Sequence, residues 1–218
     1  MKNKKTTRPF VFFIITLVYT LIISFVDRAP VGAEGTSVGF SCFNTRIRDA
    51  IGLNVMWDKI TDVFMLIAIL VALYFAVMGL LSLIREKSLL KVDKEFYVLA
   101  GLYVVIAILY VAFSKIPINY RPFLLPGETE LETSFPSTHV LVIGTILSTA
   151  VIYFKKKIEN KKLLNAIIIF FDLIIVMTVI GRLLSGVHWF TDIVGGILMY
   201  LTLTAIYAVV ANRVCAKD

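Results

Sequence analysis

Six long apolar segments are the feature that most restricts what this 218-residue chain can fold into. Each has about 17 to 23 nearly uncharged residues, which is roughly the length an α-helix needs to cross 30 Å of hydrocarbon. In chain order the segments are 10–26, 62–84, 96–113, 139–154, 163–180 and 190–211. They predict an all-α polytopic membrane protein, a six-transmembrane-helix bundle that forms a single domain over residues 1–218.

The composition supports this prediction. Hydrophobic residues make up 59% of the chain and charged residues 17%, whereas an ordinary soluble domain has roughly 45–50% and about 25%. The mean hydropathy is +0.88. These values exclude a cytosolic enzyme and a secreted disulfide scaffold.

The basic residues predict the orientation of the chain. Its net charge is +7, but Lys and Arg lie between the apolar segments rather than on one soluble surface, so we expect no nucleic-acid partner. With both termini in the cytoplasm, 15 of the 22 basic residues lie on the inner side, as the positive-inside rule requires. We therefore expect a multi-pass plasma-membrane protein, with Cys42 and Cys215 on opposite sides of the bilayer.

The first outer loop, residues 27–59, contains a helical pattern. Phe40, Phe43, Ile47 and Ile51 recur at helical spacing with charged residues between them. This pattern is typical of a short amphipathic helix in the membrane interface.

The first apolar segment has an alternative interpretation as a cleaved signal peptide. It follows a basic start and precedes small residues at 31–33. Its apolar run is longer than most signal cores, so we prefer a retained helix. Cleavage would not change the orientation of the other five helices.

Both histidines of the chain, His139 and His188, fall at the outer surface in this topology. Polar residues surround them in three segments: 115–122 ends the third helix, 136–139 begins the fourth, and 181–192 joins the fifth to the sixth.

These segments together suit a phosphoryl group, which needs several fixed cationic donors, a nucleophile and an acid for the leaving group. The planar fork of arginine can bind two phosphate oxygens at once. A helix beginning after Pro136 offers free backbone N–H groups to an anion. If the turn around them is helical, His188 and Asp192 stand four residues apart on one face, where the carboxylate can hold the imidazole.

The three segments resemble the signatures of the membrane branch of the type-2 phosphatidic acid phosphatase and haloperoxidase superfamily. Those signatures read K-x6-R-P, P-S-G-H and S-R-x5-H-x3-D, and their order and membrane positions match from the third helix to the sixth, over a core of residues 96–211. Three positions depart from them. Five residues rather than six separate Lys115 from Arg121, Thr138 replaces the glycine of the second signature, and Gly181 replaces the serine of the third.

The resemblance implies a role for each matching residue. His188 would be the nucleophile that forms a phosphohistidine, Asp192 would fix its tautomer, and His139 would protonate the leaving oxygen and later activate water. It also implies no cofactor and no metal. The residues that would hold the phosphate oxygens are Arg121, Arg182, Ser137, Thr138 and Lys115.

The resemblance and the topology together predict a lipid phosphatase that acts in the bilayer on a lipid phosphate or diphosphate at the outer face. Undecaprenyl diphosphate is one such lipid, because it is released on that face and must lose a phosphate there; phosphatidate and phosphatidylglycerol phosphate are alternatives. A phosphotransferase on the same fold, an anion channel or transporter, and an inactive relative also remain open. The oligomeric state is not predicted.

Three further features have structural interpretations. Glu128, Glu130 and Glu132 are expected to be solvated unless they pair with arginine. Asp172, at mid-depth in the fifth helix, is interpreted as a protonated or hydrogen-bonded structural residue. Trp189 fits an interfacial anchor or a wall of the site equally well.

Overall fold

The computed structural model describes residues 2–125 and 127–215 and confirms the all-α prediction. Two single-turn helices also occur, at Ala33–Gly35 and Leu89–Lys91. The α-helices are α1 (Lys2–Phe25), α2 (Ser41–Ile51), α3 (Val55–Glu86), α4 (Lys94–Lys115), α5 (Thr138–Lys157), α6 (Lys161–Ser185) and α7 (Phe190–Cys215).

Six of these helices are long and apolar enough to cross a membrane, and each overlaps one of the predicted segments. Helices α3 and α6 begin before the predicted starts, and a polar cap marks the first residue of each. The Asn54 side chain accepts a hydrogen bond from the backbone N–H of Met56 at the start of α3, and Asn160 does the same at the start of α6. The remaining helix, α2, lies where the short interfacial helix was predicted.

Helix α5 lies at the centre of the bundle. It packs against α3, α6 and α7, while α1 and α4 pack on the other faces of α7. Thr145 and Thr149 of α5 are fully buried and satisfy their hydroxyls on backbone carbonyls of their own helix. A helix surrounded by protein can carry such residues, which explains why the fourth apolar segment is the shortest of the six.

One buried carboxylate joins three helices at the end of the bundle where α4 begins. Glu95 is 1% exposed and accepts hydrogen bonds from Lys156 Nζ of α5 at 2.9 Å and from Tyr207 Oη of α7 at 2.8 Å. A buried carboxylate needs such partners to offset the loss of its hydration.

The opposite end of the bundle, which we call the histidine end, holds His139, His188 and the starts of α3, α5 and α7. Two loops interlock there. The backbone N–H of Asn54 donates to the carbonyl of Ser185 at 2.9 Å. Gly186 has a φ of +70°, and a Cβ on it would lie 1.9 Å from the carbonyl oxygen of Gly52, so only glycine fits this contact.

Asp172 lies on the exposed face of α6 and makes no hydrogen bond with any residue that the structure describes. Of the two interpretations of Asp172, the hydrogen-bonded one therefore finds no partner among the described residues.

We predict that Gly144→Ala destabilises the bundle by about 1–3 kcal/mol, because overpacking a well-filled interface forces side chains to shift. A Cβ at Gly144 of α5 would lie 2.6 Å from Cγ of Tyr200 on α7. Thermal unfolding in detergent measures the effect. Gly101→Ala is the matched control, because a Cβ there meets nothing within 4 Å. Equal unfolding temperatures for the two variants would contradict the predicted α5–α7 contact.

Candidate active site

A cavity of about 640 Å³ lies at the histidine end. Both histidines line it, and so do the end of α4, the loop from Tyr120 to Pro136 and the start of α5. The three signature segments, which are far apart in the sequence, therefore meet around one space.

His188 lies before α7 begins, so the expectation that a helical turn carries both His188 and Asp192 is wrong. The two side chains still approach, with 3.8 Å between His188 Nδ1 and Asp192 Oδ2. Burial holds the pKa of the His188 imidazole well below its usual range, and the guanidiniums of Arg182 and Arg121 lower it further. This environment favours the neutral imidazole, the form that has a lone pair for nucleophilic attack.

Asp192 is fully buried and held from two sides. Its Oδ1 accepts a hydrogen bond from Asn119 Nδ2 at 2.9 Å, and its Oδ2 accepts one from the backbone N–H of Trp189 at 3.0 Å. Trp189 is itself buried, and its Nε1–H donates to the carbonyl of Tyr120 at 2.7 Å. Trp189 is thus a structural link between the loop before α5 and the start of α7 rather than an interfacial anchor.

Arg182 is 1% exposed and pairs with a carboxylate from another helix. Its Nη1 donates to Asp58 Oδ1 and, at 3.1 Å, to Thr61 Oγ1, both on α3. Burial of a guanidinium is tolerated when hydrogen bonds of this kind satisfy it. Helix α3 therefore takes part in the site, although no signature segment lies in it.

Arg121 has a similar partner in its own loop. Its Nη2 lies 2.5 Å from Glu132 Oε2, and the two residues also share a backbone hydrogen bond of 3.0 Å. Glu132 therefore pairs with arginine, which is the exception that the sequence analysis allowed for the acidic loop.

His139 contacts α3 as well. Its Nε2 lies 2.9 Å from Asp62 Oδ1. The ring is mostly buried on the cavity wall, one residue after α5 begins.

The remaining predicted residues surround the start of α5 and the end of α4. Ser137 is buried, and its backbone N–H donates to the carbonyl of Asp192 at 3.0 Å, which joins the second signature segment to the third. Thr138 begins α5 and lines the cavity. Lys115 is the exposed last residue of α4 and also lines the cavity, despite its shorter spacing from Arg121.

Several buried donors at this end have no hydrogen-bond partner among the described residues. Among them are Nε of Arg121, Nε of Arg182 and Oγ of Ser137. Buried polar groups are normally satisfied, and those that are not call for an explanation. Arg121 lines the cavity, and guanidinium N–H groups and a hydroxyl at this end of the bundle fit an anion with several oxygens.

Sequence reasoning missed Asp58, Asp62 and Asn119. Asp58 falls in the first outer loop and Asp62 at the start of the second apolar segment, and the sequence pattern gives neither of them a partner. Asn119 lies inside the first signature segment but carries no charge to mark it.

The departure at Gly181 has a steric reason. A Cβ at this position would lie 2.7 Å from Cγ2 of Thr61 and 3.3 Å from the ring of Trp57. Glycine therefore lets α3 approach α6 closely enough for Asp58 and Thr61 to reach Arg182.

Comparisons with known proteins agree with this arrangement. The family model described as the PAP2 superfamily matches residues 96–215. The structure is similar to the crystal structure of the first transmembrane PAP2 type phosphatidylglycerolphosphate phosphatase from Bacillus subtilis, with 18% sequence identity and a TM-score of 0.63. That match covers 94% of this chain and 96% of the other, and at this identity it shows the fold. No curated protein matches the sequence.

We predict that Glu132→Gln increases the affinity for inorganic phosphate about 3- to 10-fold, because a neutral amide competes less well than a carboxylate for Arg121. Arg121→Gln should weaken binding. Isothermal titration calorimetry in detergent measures both effects. Glu128→Gln removes the same charge at an exposed position of the same loop, so it controls for the general electrostatic effect of a less acidic loop. An equal gain in phosphate affinity in this variant would contradict a specific role for the Arg121–Glu132 ion pair.

Proposed function

The chain belongs to the PAP2 superfamily, and from this premise and the geometry of the site we propose that it is an integral membrane lipid phosphatase acting at the extracytoplasmic face. The observation that carries the proposal is that Arg121, His139 and His188 line one cavity, while the buried guanidinium of Arg182 lies close enough to His188 to lower the pKa of its imidazole. This donor set matches the needs of phosphoryl transfer, which are positioning and charge stabilisation around three oxygens.

The cavity also supports a lipid rather than a soluble substrate. Beyond the polar residues, its wall continues over the apolar side chains of Leu109 and Phe113 on α4 and of Leu141 and Val142 on α5. A phosphorylated head group can bind the guanidiniums while the first carbons of its tail lie against these residues.

In the first proposed step, Nε2 of neutral His188 attacks the phosphorus atom. The bond from phosphorus to the lipid oxygen breaks, and protonated His139 gives its proton to that oxygen. The products are a phosphohistidine and a lipid alcohol, or a lipid monophosphate when the substrate is a diphosphate. Asp192 stabilises the positive charge that develops on His188, while Arg121, Arg182, Ser137, the Thr138 backbone N–H and Lys115 bind the phosphate oxygens.

In the second step, water attacks the phosphohistidine. His139, now neutral, takes a proton from the water, the phosphorus–nitrogen bond breaks, and inorganic phosphate leaves. His188 returns to its neutral form and His139 to its protonated form, so the cycle closes. The arginines supply the positive charge that phosphoryl transfer needs. We propose that the reaction requires no metal or cofactor.

The proposed substrate class is a lipid with a terminal phosphate or diphosphate. Undecaprenyl diphosphate is the first candidate, because it is released at the outer face and must be dephosphorylated there. Phosphatidylglycerol phosphate is the second, because the structurally similar protein from Bacillus subtilis is described as its phosphatase. Phosphatidate is the third.

We predict that the purified protein releases phosphate from at least one of these three lipids in detergent, with excess chelator present. His188→Ala should lower turnover more than about 1,000-fold, because no other group replaces the nucleophile. Quenching the wild type with alkali during turnover should trap the label of a phosphate-labelled lipid on His188, since phosphoramidates survive alkali.

The controls separate the alternatives. His188→Asn keeps a polar side chain in the buried position, and equal unfolding temperatures exclude a folding defect. Label transferred to an added lipid or sugar acceptor instead of free phosphate would favour a phosphotransferase. Turnover that survives in both His188 variants would disprove the histidine mechanism, and turnover abolished by the chelator would disprove metal independence.

We predict that a membrane-impermeant maleimide labels Cys42 in intact cells, because Cys42 is exposed at the start of α2 near the histidine end. Cys215 should be labelled only after the membrane is permeabilised, since the predicted topology puts it in the cytoplasm. Comparing Cys42→Ser with Cys215→Ser assigns each signal. Labelling of Cys215 alone in intact cells would reverse the proposed orientation.

A further inference from the structure

The contact between Asp62 and His139 has no counterpart in the three signature segments. Asp62 Oδ1 lies 2.9 Å from His139 Nε2, and the two residues come from α3 and α5. His139 is the group to which the proposed function gives the proton-transfer role. A carboxylate on one ring nitrogen fixes the tautomer of the imidazole and therefore which nitrogen faces the substrate.

The packing of α3 explains how the carboxylate reaches the ring. Asp58, Thr61 and Asp62 occupy positions i, i+3 and i+4 and so lie on one face of α3. The first two contact Arg182. Gly181 leaves room for the side chains of Thr61 and Trp57 of α3 at this point. The same close approach that satisfies Arg182 thus brings Asp62 to His139.

Asp62 contacts Nε2 of His139 without lining the cavity itself. His139 lines the cavity, whereas Asp62 is not among the described residues that do so. Because Nε2 is occupied by Asp62, Nδ1 is the nitrogen left for the leaving oxygen. A carboxylate in this position orients the ring without binding the substrate.

The charges around His139 show why the ring needs this partner. Arg121 lines the same cavity as His139, and a nearby guanidinium opposes a positive charge on an imidazole. His188 and Glu132 line this cavity as well. Asp58 and Glu132 are already paired with the two arginines, so Asp62 is the carboxylate in direct contact with the imidazolium.

We propose that Asp62 is a positioning residue for proton transfer: it holds His139 with Nδ1 toward the leaving oxygen and stabilises the imidazolium that donates the proton. This inference rests on the proposed function. The proton passes from Nδ1 of His139 to the oxygen of the lipid as the phosphorus–oxygen bond breaks, and Asp62 itself neither gains nor loses one.

The test uses two phosphate monoesters with the same lipid tail, one with an alkyl and one with a nitrophenyl leaving group. The alkyl oxygen needs a proton to leave, whereas the nitrophenolate does not. Asp62→Asn should lower kcat/KM for the alkyl ester about 10- to 100-fold, part of what general acid catalysis contributes. For the nitrophenyl ester the loss should be less than about 3-fold. Asp62→Glu should recover part of the alkyl activity.

A matched control is Asp49→Asn, which makes the same change in an exposed aspartate of α2 that pairs with Arg48. It should leave both esters unaffected. Equal losses with the two esters in Asp62→Asn would show a merely structural role, and no loss with either would show that Asp62 does not matter. Either result overturns the proposal.

A spectroscopic measurement makes the test independent of turnover. The chain has two histidines, so histidine-selective ¹⁵N labelling gives two ring systems, and His188→Asn identifies which is His139. At alkaline pH, where an imidazole is neutral, the wild type should show the His139 proton on Nε2, and Asp62→Asn should show a mixture of tautomers. An unchanged tautomer would overturn the proposal. The wild type could also fail to turn over either ester while the expected tautomer change is still seen. That result would overturn the proposed function but not the role of Asp62 in holding the His139 ring.

Discussion

The ion pair between Arg182 and Asp58 is the contact on which the histidine end of this protein depends. A guanidinium that is 1% exposed cannot be left without a partner, because removing its hydration costs several kcal/mol. The partner comes from α3, which must therefore continue beyond the hydrocarbon layer. At 32 residues α3 is well above the ~20 that a membrane crossing needs. Its extra turns carry Asp58, Thr61 and Asp62, and these residues fix Arg182 and His139.

Three of the positive or potentially positive groups at the site are matched by a carboxylate from the chain itself. Arg182 pairs with Asp58, Arg121 with Glu132, and His139 with Asp62. A phosphate that reaches Arg121 would exchange with Glu132, which is 55% exposed and can return to water. When phosphate replaces Glu132 on Arg121, the binding free energy is only the difference between the free energies of the two ion pairs. The affinity is therefore moderate. Moderate affinity suits an enzyme that must also release inorganic phosphate.

Much of this structure could be predicted from the sequence because the bilayer allows few solutions. Uncharged segments of sufficient length have to form helices, and all six did. The histidines and arginines of the site could be predicted because they fall in segments of recognisable spacing. The α3 carboxylates could not, since their partners lie more than 70 residues away and only packing reveals them. The substitution of glycine for serine at 181 looked like the loss of a hydroxyl, whereas in three dimensions it creates the space that α3 occupies.

The position of α5 has a consequence for how the protein is made. Its mean hydropathy of 1.5 is the lowest of the six spans, whose other values run from 2.0 to 2.8. Buried threonines such as Thr145 and Thr149 account for part of this. Such a segment partitions weakly into lipid by itself, and it gains its full protein environment only when α6 and α7 have been synthesised. The integration of His139 into the membrane protein thus depends on helices that leave the ribosome after α5.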